Sequence, residues 1–346
     1  MTSEDHDHTP ASPREDASAS LSLHGHLQHA MDGGPHQPRP LMAKSLLTYP
    51  QKKVRFSYST ADQPVLQRAV IQAIEKIGGQ RKLKKLYTQH QKNLKNGENF
   101  FDSAISLLRM RVEYDEAALA RTPATGPVLF IANHPYGVLD GITLTWLATK
   151  VRPDTKVLAN DVLCQAPEAA ANLLPVAFSP TREARETNVS SRLQAQSWLK
   201  QGHAIGIFPG GGVSTSEKPL KGPAVDLPWA PFTAKLLRSS QATVVPIFFV
   251  GQNSRLFQLA SHLSLTLRLS LVFRETARRI GSRLKVRVGE PIPFSEIAHI
   301  EDRAELVAEL RKRTFALARP EDIKGSRFDL HLREARIKGG KPKQED

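Results

Sequence analysis

The chain has 346 residues, 40% hydrophobic and 24% charged, so it can bury a large core, and its formal net charge of +14 calls for an acidic partner: nucleic acid, an anionic membrane surface, an acidic carrier protein or an anionic small molecule. One cysteine, Cys164, excludes an intrachain disulfide framework and a cysteine-built zinc cluster; it reads as a small core residue in a reducing compartment. Residues 1–16 lack the basic-then-apolar order of a secretory signal, and runs such as Ala242 to Val250 fall far short of the roughly 20 residues of a spanning helix, so neither a signal peptide nor a transmembrane helix is expected and any membrane contact is peripheral.

Residues 1–45 are rich in Ser, Pro, Gly, Asp and His, which predicts a disordered polar tail. His6, His8, His24, His26, His29 and His36 lie there at irregular spacing without cysteines, and no metal site is assigned to them. A helical N-terminal section is expected over 46–120. In "DQPVLQRAVIQAIEKIGG", Asp62 can cap a helix, Pro64 suits its first turn, and Leu66, Val70, Ile71, Ile74 and Ile77 share one face before Gly78-Gly79 ends it. The next stretch sets Arg81, Lys82, Lys84, Lys85, Lys92 and Lys95 around Leu83, Leu86, Tyr87 and Leu94. That is a basic amphipathic helix, suited to an anionic membrane surface or to plain solvation. A third helix is expected near Phe101 to Val112.

After Thr122-Pro123, short apolar runs alternate with helical segments. The runs are Val128 to Ala132, Lys156 to Ala159, Pro175 to Phe178, Ala204 to Phe208, Thr243 to Val250 and Leu284 to Val288. The helices are Gly141 to Thr149, Ala166 to Asn172, Arg182 to Lys200, Pro231 to Arg238 and a broken Leu256 to Arg279. This alternation predicts an α/β domain over 121–320, with a central mixed sheet flanked by helices. Pro246 marks an edge position or an irregularity. A last helix is expected over Ser295 to Ala318 with Ser295 as its cap, then a basic tail over 321–346. Of the three tryptophans, Trp229 in "LPWAPF" is the one suited to an interfacial anchor.

Two loops carry chemistry. "NHPYGVLDG" (133–141) follows a predicted strand and places His134 and Asp140 together. A neutral imidazole acts as a base when an acceptor holds its other nitrogen, and Asp140 can be that acceptor; equally, Asp140 can simply cap the following helix. "AIGIFPGGGVSTSEKP" (204–219) follows another strand, and Gly210, Gly211 and Gly212 with Ser214, Thr215 and Ser216 can converge N–H and O–H donors on an anion. It lacks the lysine of a nucleotide P-loop and is no dinucleotide fingerprint. Taken alone it also reads as a flexible turn.

The order of "NHPYGVLDG", "FPGGGVST" and "KVRVGEPI" resembles the glycerolipid acyltransferase family, specifically the bacterial lysophospholipid or ornithine-lipid branch sometimes called hemolysin-like. The similarity runs from about Tyr58 to Ala318 and takes in "VAFSPTREARETNVSS", "AVDLPWAPFTAKL" and "VGQNSRLFQL". The resemblance implies His134 as general base and Asp140 as its support. It also implies a head-group site built from Asn133, Gly137, Gly210, Gly211, Gly212 and Ser214, with Arg182 as a further contact. Two departures matter. Five residues, Pro135 to Leu139, separate histidine from aspartate where most members have four, and Gly210 and Val213 replace a usual glutamate and arginine. An acceptor other than a simple glycerol phosphate, such as a lyso-ornithine lipid, fits that change.

The resulting expectation is a peripheral enzyme on the cytoplasmic face of the membrane. It transfers a fatty acyl group from acyl-CoA or acyl-ACP (acyl carrier protein), as co-substrate, to a lysolipid hydroxyl, without a cofactor or metal and without nucleic acid as a partner. The rival readings are a thioesterase or hydrolase using the same base and a non-catalytic protein that binds anionic lipid.

Overall fold

The computed structural model describes residues 57, 59, 64–93, 99–179 and 181–323, all within one compact unit, Tyr49–Asp346. The tail expected over 1–45, nearly all of that over 321–346, the Asp62 cap, and Leu94 and Lys95 lie outside the described residues.

The N-terminal section is helical: α1 (Val65–Ile77), α2 (Gln80–Asn93) and α3 (Phe100–Leu107). Gly78 closes α1, its N–H returning to the Ile74 carbonyl at 2.7 Å. Helix α3 stops short of the expected Val112 because Arg109 takes a left-handed φ of 51°, which turns the chain into strand β1 (Arg111–Glu113). Neither β1 nor the following α4 (Glu116–Ala120) is long enough to show a period in the sequence. The remaining elements are β2 (Val128–Ala132), α5 (Val138–Val151), β3 (Lys156–Asn160), β4 (Leu173–Val176), α6 (Arg182–Lys200), β5 (Ala204–Ile207), the hairpin β6 (Thr215–Lys218) and β7 (Lys221–Val225), α7 (Phe232–Ser240), β8 (Thr243–Phe249), α8 (Arg255–Leu263), α9 (Leu265–Arg278), β9 (Arg283–Val288), α10 (Arg303–Phe315) and α11 (Pro320–Ile323).

Several boundaries differ from expectation for local reasons. The helix expected over Ala166 to Asn172 is two short 3-10 turns, Leu163–Gln165 and Ala170–Asn172, with Pro167 between them removing a helical donor. Strand β4 begins at Leu173 rather than Pro175 and ends at Val176, because the Asn188 amide takes both the N–H and the carbonyl of Ala177 at 2.8 Å. Ser295 lies in a 3-10 turn. The helix α10 starts at Arg303 instead, where the Asp302 carboxylate accepts the Glu305 N–H at 2.8 Å. The expected break in the α8–α9 stretch falls at Ser264, whose hydroxyl caps α9.

The seven-stranded sheet has the order β1-β9-β8-β2-β5-β3-β4. Strand β9 runs antiparallel to β8 and parallel to β1, and the other pairs are parallel, so the sheet is mixed. Strand β8 is central, so Pro246 is not at an edge. It sits at an irregularity, between the regular β8–β9 ladder and an isolated Val244–Ile292 bridge, where its missing N–H breaks no regular pairing. Gly289 donates to the Pro246 carbonyl at 2.9 Å; a Cβ there would stand 2.7 Å from the proline ring.

Every side chain of β2 is buried, and its alternation is split between two cores. Val128, Phe130 and Ala132 pack under α2, α3, α5 and α9, while Leu129 and Ile131 pack against α6, α7 and α10. A sheet covered on both faces gives unbroken apolar runs, which is why strands are legible here without a polar alternation. Cys164 joins the first core at 3% exposure, and burial, helped by the charge of Asp161, pushes its thiol up to about 12. Its reaction with a disulfide reagent in native protein at pH 8 is therefore expected to be negligible and to reach one thiol per chain only in denaturant; rapid native labelling would contradict this packing.

Candidate active site

Strands β2 and β5 are parallel neighbours with Ile131 beside Ile207. Their carboxyl ends therefore leave the sheet at the same edge, and the loops after them lie side by side although about seventy residues separate them in the chain.

The first loop is fixed at its start by Asn133. Its side-chain amide donates to the Phe249 carbonyl at 3.0 Å and accepts the Phe249 N–H at 2.6 Å, behaving as one more peptide unit of the β2–β8 ladder. His134 follows. Its backbone N–H donates to Asp226 Oδ1 at 3.1 Å, its carbonyl accepts from Ser214 N–H at 2.8 Å, and its ring stacks on Phe208 with centroids 4.1 Å apart. The chain then turns through Gly137 at φ 76°, where a Cβ would also stand 3.1 Å from Val213 Cγ2; no other residue fits this position without strain.

Asp140 lies in the first turn of α5 with no exposure. Its Oδ2 accepts the N–H groups of Tyr136 at 2.7 Å and Gly137 at 3.0 Å and stands 3.1 Å from His134 Nδ1. Helix capping and support of the histidine are thus performed by one oxygen. The five-residue interval closes because the two N–H groups fold the loop back over the carboxylate. The His134 contact is close but bent away from hydrogen-bond alignment, as is common in sites without substrate, and Oδ1 is buried without a partner among the described residues. Burial raises the Asp140 carboxyl above its ordinary range, while His134 and the two N–H groups oppose that shift. Tyr136 is removed as a competing base: its hydroxyl donates to the Val250 carbonyl at 2.7 Å, and burial pushes the phenol up to about 12.

In the second loop, Gly211 N–H turns back onto the Phe208 carbonyl at 2.9 Å, while the N–H groups of Gly210, Gly212 and Val213 have no partner among the described residues. Ser214 faces inward, its hydroxyl donating to Asp226 Oδ1 at 2.5 Å. Arg182 is not brought to either loop. It is exposed at the start of α6, pairs with Glu186 at 2.8 Å, and follows the edge strand β4, three strands or about 14 Å across the sheet from β2.

Asp226 belongs to the site without a motif of its own to mark it. This buried carboxylate joins the His134 backbone, the Ser214 hydroxyl and, through Oδ2 at 3.0 Å, the Trp229 indole N–H. Its signal was present in "AVDLPWAPF", where an acid stands amid apolar residues. Trp229 is 6% exposed, so it is a core residue and not an interfacial anchor.

The profile of a family described as Acyltransferase matches residues 98–323, which is more than half of the chain. The chain belongs to the acyltransferase family. This acyltransferase is 24% identical over 217 residues to a lyso-glycine lipid O-acyltransferase of Phocaeicola vulgatus, covering 60% of this chain and 74% of that protein. It is 25% identical over 228 residues to a lyso-glycine lipid O-acyltransferase of Bacteroides thetaiotaomicron, covering 61% of this chain and 79% of that one. Among solved structures it matches the 1-acyl-sn-glycerophosphate (LPA) acyltransferase PlsC of Thermotoga maritima at TM-score 0.41 and 15% identity, over 77% of this chain and 84% of that one.

Because Asp226 holds the backbone of His134, Asp226→Ala is expected to displace the base. Turnover should fall about 10- to 100-fold, alongside a loss of about 3 kcal/mol in urea unfolding from three stranded donors. Wild-type turnover in a destabilised Asp226→Ala protein would show that Asp226 does not position the histidine.

Proposed function

We propose that this acyltransferase moves a fatty acyl group from a thioester donor, acyl-CoA or acyl carrier protein, to a hydroxyl of a lysolipid, with His134 as general base and Asp140 as its support. The observation that carries the reading is the 3.1 Å approach of His134 Nδ1 to a buried carboxylate, with no hydrogen-bond partner for Nε2 among the described residues. Nε2 takes the hydroxyl proton as the oxygen attacks the thioester carbonyl, Asp140 stabilises the imidazolium, and the proton passes to the departing thiolate. Both curated relatives are named for O-acylation of a lysolipid, which supports that acceptor class.

An apolar cavity of about 110 Å³ supports a hydrocarbon substrate. Val138, Gly141 and Ile142 of α5 form its side next to the catalytic loop, and Leu83, Leu86 and Phe100 form the opposite side. The acceptor's head group is assigned to the loop edge formed by Gly137 and Gly210 to Gly212. Asn133 and Ser214 hold the two loops through Phe249 and Asp226, and Arg182, paired with Glu186, makes no contact with either loop among the described residues.

Attachment to the anionic cytoplasmic face of the membrane is part of the proposal. Residues Val65, Leu66 and Ile77 of α1 are 73%, 78% and 89% exposed, and Arg81, Lys82, Lys84 and Lys85 of the following helix α2 are exposed as well. Each base near such a surface contributes about 1 kcal/mol. No described helix is long and apolar enough to cross a membrane. Charge reversal of Lys84 and Lys85 to Glu is expected to reduce sedimentation with vesicles of anionic lipid at least tenfold and to leave transfer to detergent-dispersed lysolipid in place; unchanged sedimentation would remove α2 from the interface.

His134→Ala is expected to lower transfer about 10³-fold or more. In Asp140→Asn the amide oxygen can still accept the two backbone N–H groups, but the charge that stabilises the imidazolium is gone, so a loss near 10²-fold is expected in a folded protein. Assays with labelled thioesters and lysolipids decide the matter: full turnover by His134→Ala would end the mechanism, and free fatty acid in place of acyl-lysolipid would make the protein a hydrolase.

A further inference from the structure

Arg268, on α9, is a cation without a counter-charge among the described residues. Its guanidinium donates to the Val213 carbonyl and, through Nη1, to Thr215 Oγ1 at 2.9 Å, and it lies against the Phe257 ring at 5.7 Å; no carboxylate among the described residues pairs with it. Two other arginines of the same helix differ, since Arg274 and Arg278 both meet Glu275. Arg268 is half-buried, and burial lowers its pKa, yet a guanidinium so far above neutrality stays charged. An uncompensated cation held partly out of water costs free energy that a bound anion would return.

Its position says where that anion would sit. One guanidinium nitrogen is 3.7 Å from the point where a Cβ on Gly212 would stand, so the group overhangs the glycine loop on which the N–H groups of Gly212 and Val213 are partnerless. Val213 in turn packs on Gly137 of the catalytic loop. The nearby negative charge, Asp226, lies under the loop and is spent on Ser214, Trp229 and the His134 backbone.

We infer that Arg268 reads an anionic group, a carboxylate or phosphate monoester, on the acceptor's head group, clasping it against the free N–H groups of the glycine loop. Naming the acceptor as the source rests on the acyltransferase reading above. A phosphate of an acyl-CoA donor offers the same chemistry, and the test separates the two.

The assay compares lyso-glycine lipid with its methyl ester, and lysophosphatidate with its dimethyl phosphate ester, on wild type, Arg268→Met and Arg268→Lys. A charge-assisted hydrogen-bond pair gives about 10- to 100-fold, so wild type should favour at least one charged lipid over its ester by that factor in kcat/KM. The ratio should fall to near one in Arg268→Met and be partly kept in Arg268→Lys, with the KM for acyl-CoA unmoved. Because both lipids are read on one sample, the ratio is insensitive to the fraction folded. An unchanged ratio in Arg268→Met, no charge preference in wild type, or an effect confined to the KM for acyl-CoA would each overturn the inference. If wild type makes no acyl-lysolipid, the acyltransferase reading falls. Binding of the same four lipids to His134→Ala and His134→Ala/Arg268→Met then decides the role of Arg268 independently.

Discussion

The parallel pairing of β2 with β5 is the constraint on which the site depends. Each strand is an unbroken apolar run that must be covered on both faces, and each ends in a loop that carries glycines and polar groups. Pairing in parallel puts both loops at one edge, and the Ser214-to-His134 backbone bond then locks them together. A histidine loop and a glycine loop that say little separately become one surface.

Asp140 shows how two explanations that compete in a sequence can both hold in a structure. A carboxylate in the first turn of a helix accepts free backbone N–H groups and lowers the cost of the terminus. The same N–H groups fix the carboxylate, so the oxygen turned toward His134 is held rigidly by backbone and not by mobile side chains. Capping therefore preorganises the base, and the donors built into the turn offset part of the cost of burying the charge.

What could be read from the chain follows from which interactions are local. The strands Val128 to Ala132, Ala204 onward and Thr243 onward were legible because burial on both faces leaves continuous apolar runs, and the long helix from Arg182 because its period spans five turns. Strand β1, the β6–β7 hairpin and the 3-10 turns around Pro167 were not, being short or polar and held by partners distant in sequence. At the site, His134, Asp140 and the glycines stand in recognisable strings, whereas Asp226 acts through contacts 12 and 92 residues away, and Arg268 reaches Val213 from 55 residues on. No spacing rule anticipates such meetings. Pro246 is intermediate: its irregularity was legible, but its central location depends on where β9 leaves the sheet.

The withdrawal of Cys164 into the core has a chemical corollary. Thioesters exchange readily with accessible thiolates, so an exposed cysteine beside a thioester substrate would be acylated in a side reaction. The sole thiol of this chain is packed among Ala159, Ala166 and Leu173, with its proton held far above neutral pH, and so offers the acyl group no parking place. On the proposed reading the acyl group passes directly from a bound thioester to a bound lysolipid. Both must then be present at once, and the protein leaves the encounter chemically unmarked.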